Sequence, residues 1–206
     1  MRGHRVYHTL RDISGDARRR FIWLSGAGMV HKGLDLALEV FARNPDLNLW
    51  VCGPIRREKD FEKLFFKELY ETPNIHTVGW VDVGEDSFLD IARRCGGLLY
   101  PSCSEGGGSS ALTCMHAAIV PLVNREVSID VADGCGIHLP DCRIETLESA
   151  VRDFSERPAA DLEAMARRGW EYVRQHHTKD TFREGYRGFA EALIEGRLTA
   201  ESAPND

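Results

Sequence analysis

Two glycine-bearing stretches hold the residues best suited to chemistry: GAGMVHKG at 26–33 and SEGGGSS at 104–110. Each follows a short apolar run and leads into a helical pattern. Helix N-termini present unpaired N–H groups and the positive end of the dipole, so both stretches suit an anion. Gly26 and Gly28 in the first, and Gly106, Gly107 and Gly108 in the second, let such an anion approach the backbone, at an entropic cost that a plain loop would avoid. Ser109 and Ser110 add hydroxyls at the second helix start. Lys32 is a cation at a helix start, unfavourable by about 0.3–1 kcal/mol unless an anion offsets it. Glu105 is an acceptor only and suits hydroxyl groups rather than phosphate. Taken singly, each has a plainer explanation: a solvated lysine, and a loop acid drawn to a helix N-terminus. Together, a lysine, bare amides and an acid fit a ligand carrying both phosphates and hydroxyls, such as a sugar nucleotide.

The elements that must position these residues follow from hydrophobic patterning. Apolar runs at 21–25, 47–53, 74–81, 96–101 and 119–123 read as strands, and 136–139 as a sixth. Helical patterns separate them at 34–43, 58–70, 86–94 and 109–118, with Leu34, Leu38 and Phe41 sharing a face of the first. From 145 onward the chain reads as helical, over 145–156, 158–176 and 179–195. Continuous apolar strands alternating with helices predict an α/β fold: a doubly wound, Rossmann-like parallel sheet, a single domain with C-terminal helices. Both glycine stretches then fall at the carboxyl ends of strands, where such sheets bind ligands. The expected organisation is a linker or arm at 1–20, a binding domain at 21–178, and a C-terminal helix and tail at 179–206.

Bulk properties narrow the classes. The chain has 206 residues, 43% hydrophobic and 28% charged, with a formal net charge of −6. No basic stretch suited to a phosphate backbone stands out, so nucleic acid is not an expected partner. No apolar run of about 18 residues predicts a transmembrane segment, and the polar start lacks the apolar region of a signal peptide. The six cysteines form no CxxC pair, which argues against a metal site and suits a reducing, cytoplasmic compartment.

With these residues in view, the sequence resembles the C-terminal, nucleotide-sugar-binding half of a GT-B-fold glycosyltransferase of the retaining group 1 type. That family reads PSxxEGxGxxxxEAMAxGxPVV; here Pro101, Ser102, Glu105, Gly106, Gly108 and Met115 match, followed by Ala117 and Pro121, each one residue beyond its counterpart. Gly26, Lys32 and Gly33 match its GRLxxxKG loop, LNLWVCGP resembles its LxIVGxG strand, and NIHTVGWV resembles its NVxFLGxV strand. The likeness runs over about 21–192. It implies a hexosyl-type transfer from a nucleoside-diphosphate sugar to an acceptor hydroxyl, in polysaccharide or glycoconjugate synthesis, with no cofactor and no metal held by the protein. Lys32 inherits the diphosphate contact and Glu105 the donor-sugar hydroxyls, as the catalytic pair. Gly26, Gly28, Gly106, Gly107, Gly108, Ser109 and Ser110 inherit donor contacts, and Trp80 and Val81 the base, although Trp80 also reads as core.

Two positions depart from the pattern. The family's second glutamate falls on Thr113, which offers the ribose a hydroxyl in place of a charged acceptor. The arginine that accompanies the lysine falls on Ala27; Arg125 and His31 are the candidate replacement cations. A degenerate, non-catalytic nucleotide-sugar-binding module is therefore the alternative. The resemblance also implies a missing N-terminal acceptor domain as partner, without which this half is inactive, and it is compatible with peripheral membrane contact in the parent enzyme. A nicotinamide-dependent oxidoreductase fits poorly. His31 stands where GxGxxG needs its third glycine, and no acid follows the second strand at Cys52, Gly53 and Pro54. His116, His176 and His177 read as packing or helix-end residues.

Overall fold

The run RFIWL forms the first strand, β1 (Arg20–Leu24), and its Phe21, Ile22 and Trp23 are wholly buried. The computed structural model describes residues 15–129, 131 and 134–197. Helices and strands alternate after β1: α1 (Leu34–Arg43), β2 (Asn48–Cys52), α2 (Lys59–Leu64), α3 (Phe66–Tyr70), β3 (Ile75–Gly79), α4 (Asp86–Ala92), β4 (Gly97–Tyr100), α5 (Ser109–His116), β5 (Val120–Val123) and β6 (Ile137–His138). Three helices close the described chain: α6 (Ile144–Glu156), α7 (Ala159–His176) and α8 (Lys179–Ile194). The six strands pair in parallel in the order β3-β2-β1-β4-β5-β6. This is the doubly wound, Rossmann-like sheet expected from the alternation.

Burial explains the patterning. Every residue of β4 and β5 is buried, as parallel strands covered on both faces must be. Phe21 is a hub: its ring lies 5.3 Å from Phe41 of α1 and 5.2 Å from Phe154 of α6. Gly97 on the neighbouring β4 makes room for that ring, since a Cβ there would sit 2.7 Å from it. Leu34, Leu38 and Phe41 bury the expected face of α1.

Two local expectations change. The helix read over 58–70 is two short helices, broken at Phe65, whose ring stacks on Phe61 at 4.5 Å. It is preceded by a 3-10 turn, Ile55–Arg57. Residues 15–19, read within an arm, form a 3-10 helix, and the carbonyls of Ala17 and Arg20 both accept the Gly96 N–H at 2.8 Å. The rest of that arm, and the tail from 198, lie outside the described residues. α8 buries none of its residues and carries Phe182, Tyr186, Phe189 and Leu193 along one exposed stripe.

Candidate functional site

The strand order places the site. The chain moves outward from β1 to β3, then returns to pair β4 on the other side of β1. The loops after β1 and β4 therefore leave the sheet side by side at its topological switch point, where doubly wound sheets open a crevice. The first is the 26–33 stretch and the second spans 101–108.

The two loops touch along their length. Lys32 Nζ lies 2.5 Å from Glu105 Oε1. The His31 ring meets the Ser104 carbonyl at 2.9 Å, with Nε2 as donor in the matching tautomer, and the Cys103 N–H donates to the His31 carbonyl at 2.9 Å. Gly33 adopts a left-handed φ of 66°, and a Cβ there would stand 2.3 Å from the Pro101 carbonyl oxygen, so this crossing requires glycine. Gly108 is similar: its φ is 51°, and a Cβ would approach Ile129 to 2.4 Å. Gly26, Gly106 and Gly107 differ. None has a positive φ and a Cβ would meet nothing within 4 Å, so the fold itself does not require glycine there.

Glu105 is the electrostatic centre of this contact. Its Oε1 accepts from Lys32, from the Tyr100 hydroxyl and from Ser102 Oγ at 3.0 Å. Oε2 has no partner among the described residues. Burial pushes the Glu105 carboxyl up, but the hydrogen bonds from Lys32, Tyr100 and Ser102 outweigh it and hold the group below the usual carboxylate range. Burial and the neighbouring Glu105 carboxylate push the Tyr100 phenol well above its ordinary value, so it remains a donor. Ser25 Oγ, at the end of β1, lies 3.1 Å from the Tyr100 hydroxyl and ties this network to the sheet.

Beside the network lies a cavity of about 240 Å³. Gly26, Trp80, Val81, Ser109, Ser110 and Thr113 line it, together with Ser25 and Cys52. Six of the sequence-derived ligand contacts thus share one cavity, and Lys32 and Glu105 adjoin it through Tyr100 and Ser25. Trp80 is 66% exposed, which removes its reading as core, and it also lines a neighbouring 360 Å³ cavity with Arg56, Arg57 and Tyr70. Thr113 is buried and Ala27 exposed. Arg125 stands exposed on a 3-10 turn after β5. The Gly28 N–H is directed at the Glu58 carboxylate. His116 is buried, its Nε2 3.1 Å from the His177 carbonyl. Among the described residues, no three His, Cys, Asp or Glu side chains group as metal ligands, and no helix is long and apolar enough to cross a membrane.

Sequence reasoning missed Tyr100, Ser25 and Glu58. Tyr100 reads as the last apolar residue of a buried strand; its only signal was a hydroxyl at the strand's carboxyl end.

No protein-family model and no curated protein matches this sequence. Solved structures share its fold. The C-terminal domain of a group 1 family glycosyl transferase (LpcC) from Francisella tularensis is 14% identical, with a TM-score of 0.62, covering 82% of this chain and 96% of that domain. Anabaena HepE, solved with UDP and glucose, is 14% identical with a TM-score of 0.71 over 87% of this chain and 49% of its own. WaaG, a glycosyltransferase involved in lipopolysaccharide biosynthesis, is 19% identical with a TM-score of 0.59 over 80% of this chain and 44% of its own. The fold is thus that of GT-B glycosyltransferase C-terminal domains, and the chain spans less than half the length of HepE and WaaG.

Proposed function

We propose that this chain is the donor-binding half of a glycosyltransferase that moves a hexosyl-type sugar from a nucleoside diphosphate to an acceptor hydroxyl. The observation that carries the reading is the Lys32–Glu105 contact at 2.5 Å, made between two glycine loops at the switch point of the sheet. Lys32 supplies positive charge to the diphosphate, and the amides of residues 106–108, just ahead of α5, donate to it. Both stabilise the charge that grows there as the bond to the anomeric carbon breaks and its electron pair leaves with the diphosphate. Glu105 accepts the sugar hydroxyls through Oε2 and holds the anomeric carbon for the acceptor oxygen, which forms the new bond and passes its proton to the departing diphosphate. Trp80 and Val81 border the base, and Ser109, Ser110 and Thr113 the ribose and phosphates. The chain binds no cofactor or metal for this task and acts with an N-terminal acceptor domain, in cytoplasmic polysaccharide or glycoconjugate synthesis.

Isothermal titration with uridine, guanosine and adenosine diphosphates, and with their glucose conjugates, tests the reading. Submillimolar binding of at least one, lost in Lys32→Met, is expected. No binding of any at millimolar ligand refutes it.

A second reading keeps the binding and drops the chemistry. Ala27 brings no second cation and Thr113 no second carboxylate. Binding without sugar transfer, once an acceptor domain is supplied, distinguishes this degenerate module from the enzyme.

A further inference from the structure

The loop that carries Lys32 has little of its own to hold its first half. Gly26 and Ala27 are exposed, and Gly28 takes a left-handed φ of 92°. The second half is well anchored: Trp23 Nε1 donates to the Lys32 carbonyl at 3.0 Å, and His31 is tied to the β4 loop through its ring and its carbonyl. Its own backbone bonds return to Gly28 and Met29, whose carbonyls accept the N–H groups of Lys32 at 2.8 Å and Leu34 at 2.9 Å. Lys32 is thus held at its carbonyl by Trp23 and at its N–H by Gly28, and the turn that carries it closes on the peptide units of Gly28 and Met29.

Their two N–H groups both go to one side chain. Glu58 takes Gly28 N–H on Oε1 and Met29 N–H on Oε2, the latter at 3.0 Å. Glu58 stands at the N-cap of α2, yet its carboxylate makes no cap bond to its own helix. It reaches instead to a loop that precedes it by some thirty residues. Because β1 lies between β2 and β4, the first loop is gripped from both sides: by Glu58, in the segment after β2, and by residues 103–105 in the loop after β4.

We propose that Glu58 is a positioning residue: its carboxylate clamps the first loop and so sets Lys32 at the diphosphate site. The role rests on the nucleotide-sugar reading above. It also means that the Gly28 and Met29 amides, already engaged by Glu58, do not themselves receive phosphate. The rival assignment makes Glu58 a stand-in anion that the diphosphate displaces. The two differ in sign. A clamp, when removed, weakens diphosphate binding; a competitor, when removed, tightens it.

The test compares wild type, Glu58→Ala and Glu58→Gln in this chain. Amide hydrogen exchange is read over residues 26–34, and affinity is read for uridine diphosphate and uridine monophosphate. In Glu58→Ala, exchange at residues 28–34 should quicken about tenfold. Diphosphate affinity should fall about fivefold while monophosphate affinity stays within about twofold, since Lys32 is the group displaced. Glu58→Gln keeps one acceptor and should recover part of both losses, which a general loss of folding would not permit. Unchanged exchange at Lys32 and Leu34, or diphosphate binding that is unchanged or tighter, overturns the proposal. If wild type binds neither nucleotide, the nucleotide-sugar reading fails, while the exchange data still decide the clamp.

Discussion

Replacing each loop glycine by alanine separates the glycines the fold needs from those a ligand needs. At Gly33 the change forces an L-residue into a left-handed φ of 66°, which costs about 1–2 kcal/mol. The new Cβ would also stand 2.3 Å from the Pro101 carbonyl and 2.8 Å from its ring, an overlap worth about 1–3 kcal/mol more. Gly33→Ala should therefore lose about 2–5 kcal/mol, a fall in Tm of roughly 5–15 °C for a chain of this size. Gly108→Ala, with a φ of 51° and a 2.4 Å approach to Ile129, should fall in the same range. Gly106→Ala and Gly107→Ala meet no atom within 4 Å and no positive φ, so stability should stay within about 0.5 kcal/mol. These two should nevertheless weaken binding of whichever nucleoside diphosphate the wild type takes, by about tenfold, because a methyl would stand where the phosphate approaches the amides. Urea unfolding gives the first comparison and isothermal titration the second. If Gly106→Ala and Gly107→Ala both bind as wild type does, no ligand comes close to that backbone and the anion seat lies elsewhere.

Lys32→Met leaves the half-buried Glu105 with Tyr100 and Ser102 alone, and should cost about 1–3 kcal/mol by chemical unfolding. The double variant Lys32→Met/Glu105→Gln should recover much of that loss, since it no longer strands a charge. Glu105 also makes stability pH-dependent. Its folded pKa lies below the unfolded one, so its contribution is whole above the ordinary carboxylate range and is lost as pH falls through the folded value. Melting temperatures measured from neutral to acid pH should fall less steeply in Glu105→Gln than in wild type. Ala118 is a non-glycine residue at a left-handed φ of 56° after α5. Ala118→Gly relieves that strain, but the entropy of glycine and the loss of a buried methyl offset the gain, so urea unfolding should stay within about 0.5 kcal/mol of wild type.

The features legible in the sequence are those that one local pattern encodes. β1, β4 and β5 are unbroken apolar runs because both their faces are covered, and the glycine loops are conspicuous because three successive glycines are rarely tolerated without cause. The rest depends on contacts between distant segments. Glu58 sits in a charged, helical-looking stretch and is indistinguishable there from solvated neighbours such as Lys59 and Asp60; only the fold brings it to Gly28. Tyr100 closes an apolar strand, and its hydroxyl gains meaning only once Glu105 turns back beneath it. The 3-10 helix at Gly15–Arg19 leaves no mark in the sequence, because a helix of that kind lacks the 3.6-residue period by which helices are read.

The Lys32–Glu105 pair also bears on how much must move for a ligand to enter. If each group had spent its capacity on the other, binding would have to break a partly buried ion pair, and the site would be poorly suited to its task. The hydrogen bonds argue otherwise. All three donors to Glu105 converge on Oε1, so Oε2 can accept a sugar hydroxyl with the pair intact. A lysine ammonium has three protons to donate and gives one to Glu105, which leaves two for phosphate oxygens. The carboxylate stays ionised because Lys32, Tyr100 and Ser102 hold it so, and the Tyr100 phenol stays protonated because Glu105 lies against it. Charge, donors and acceptors are thus set before a ligand arrives, the condition under which electrostatic stabilisation of a leaving group needs no reorganisation at the moment of reaction.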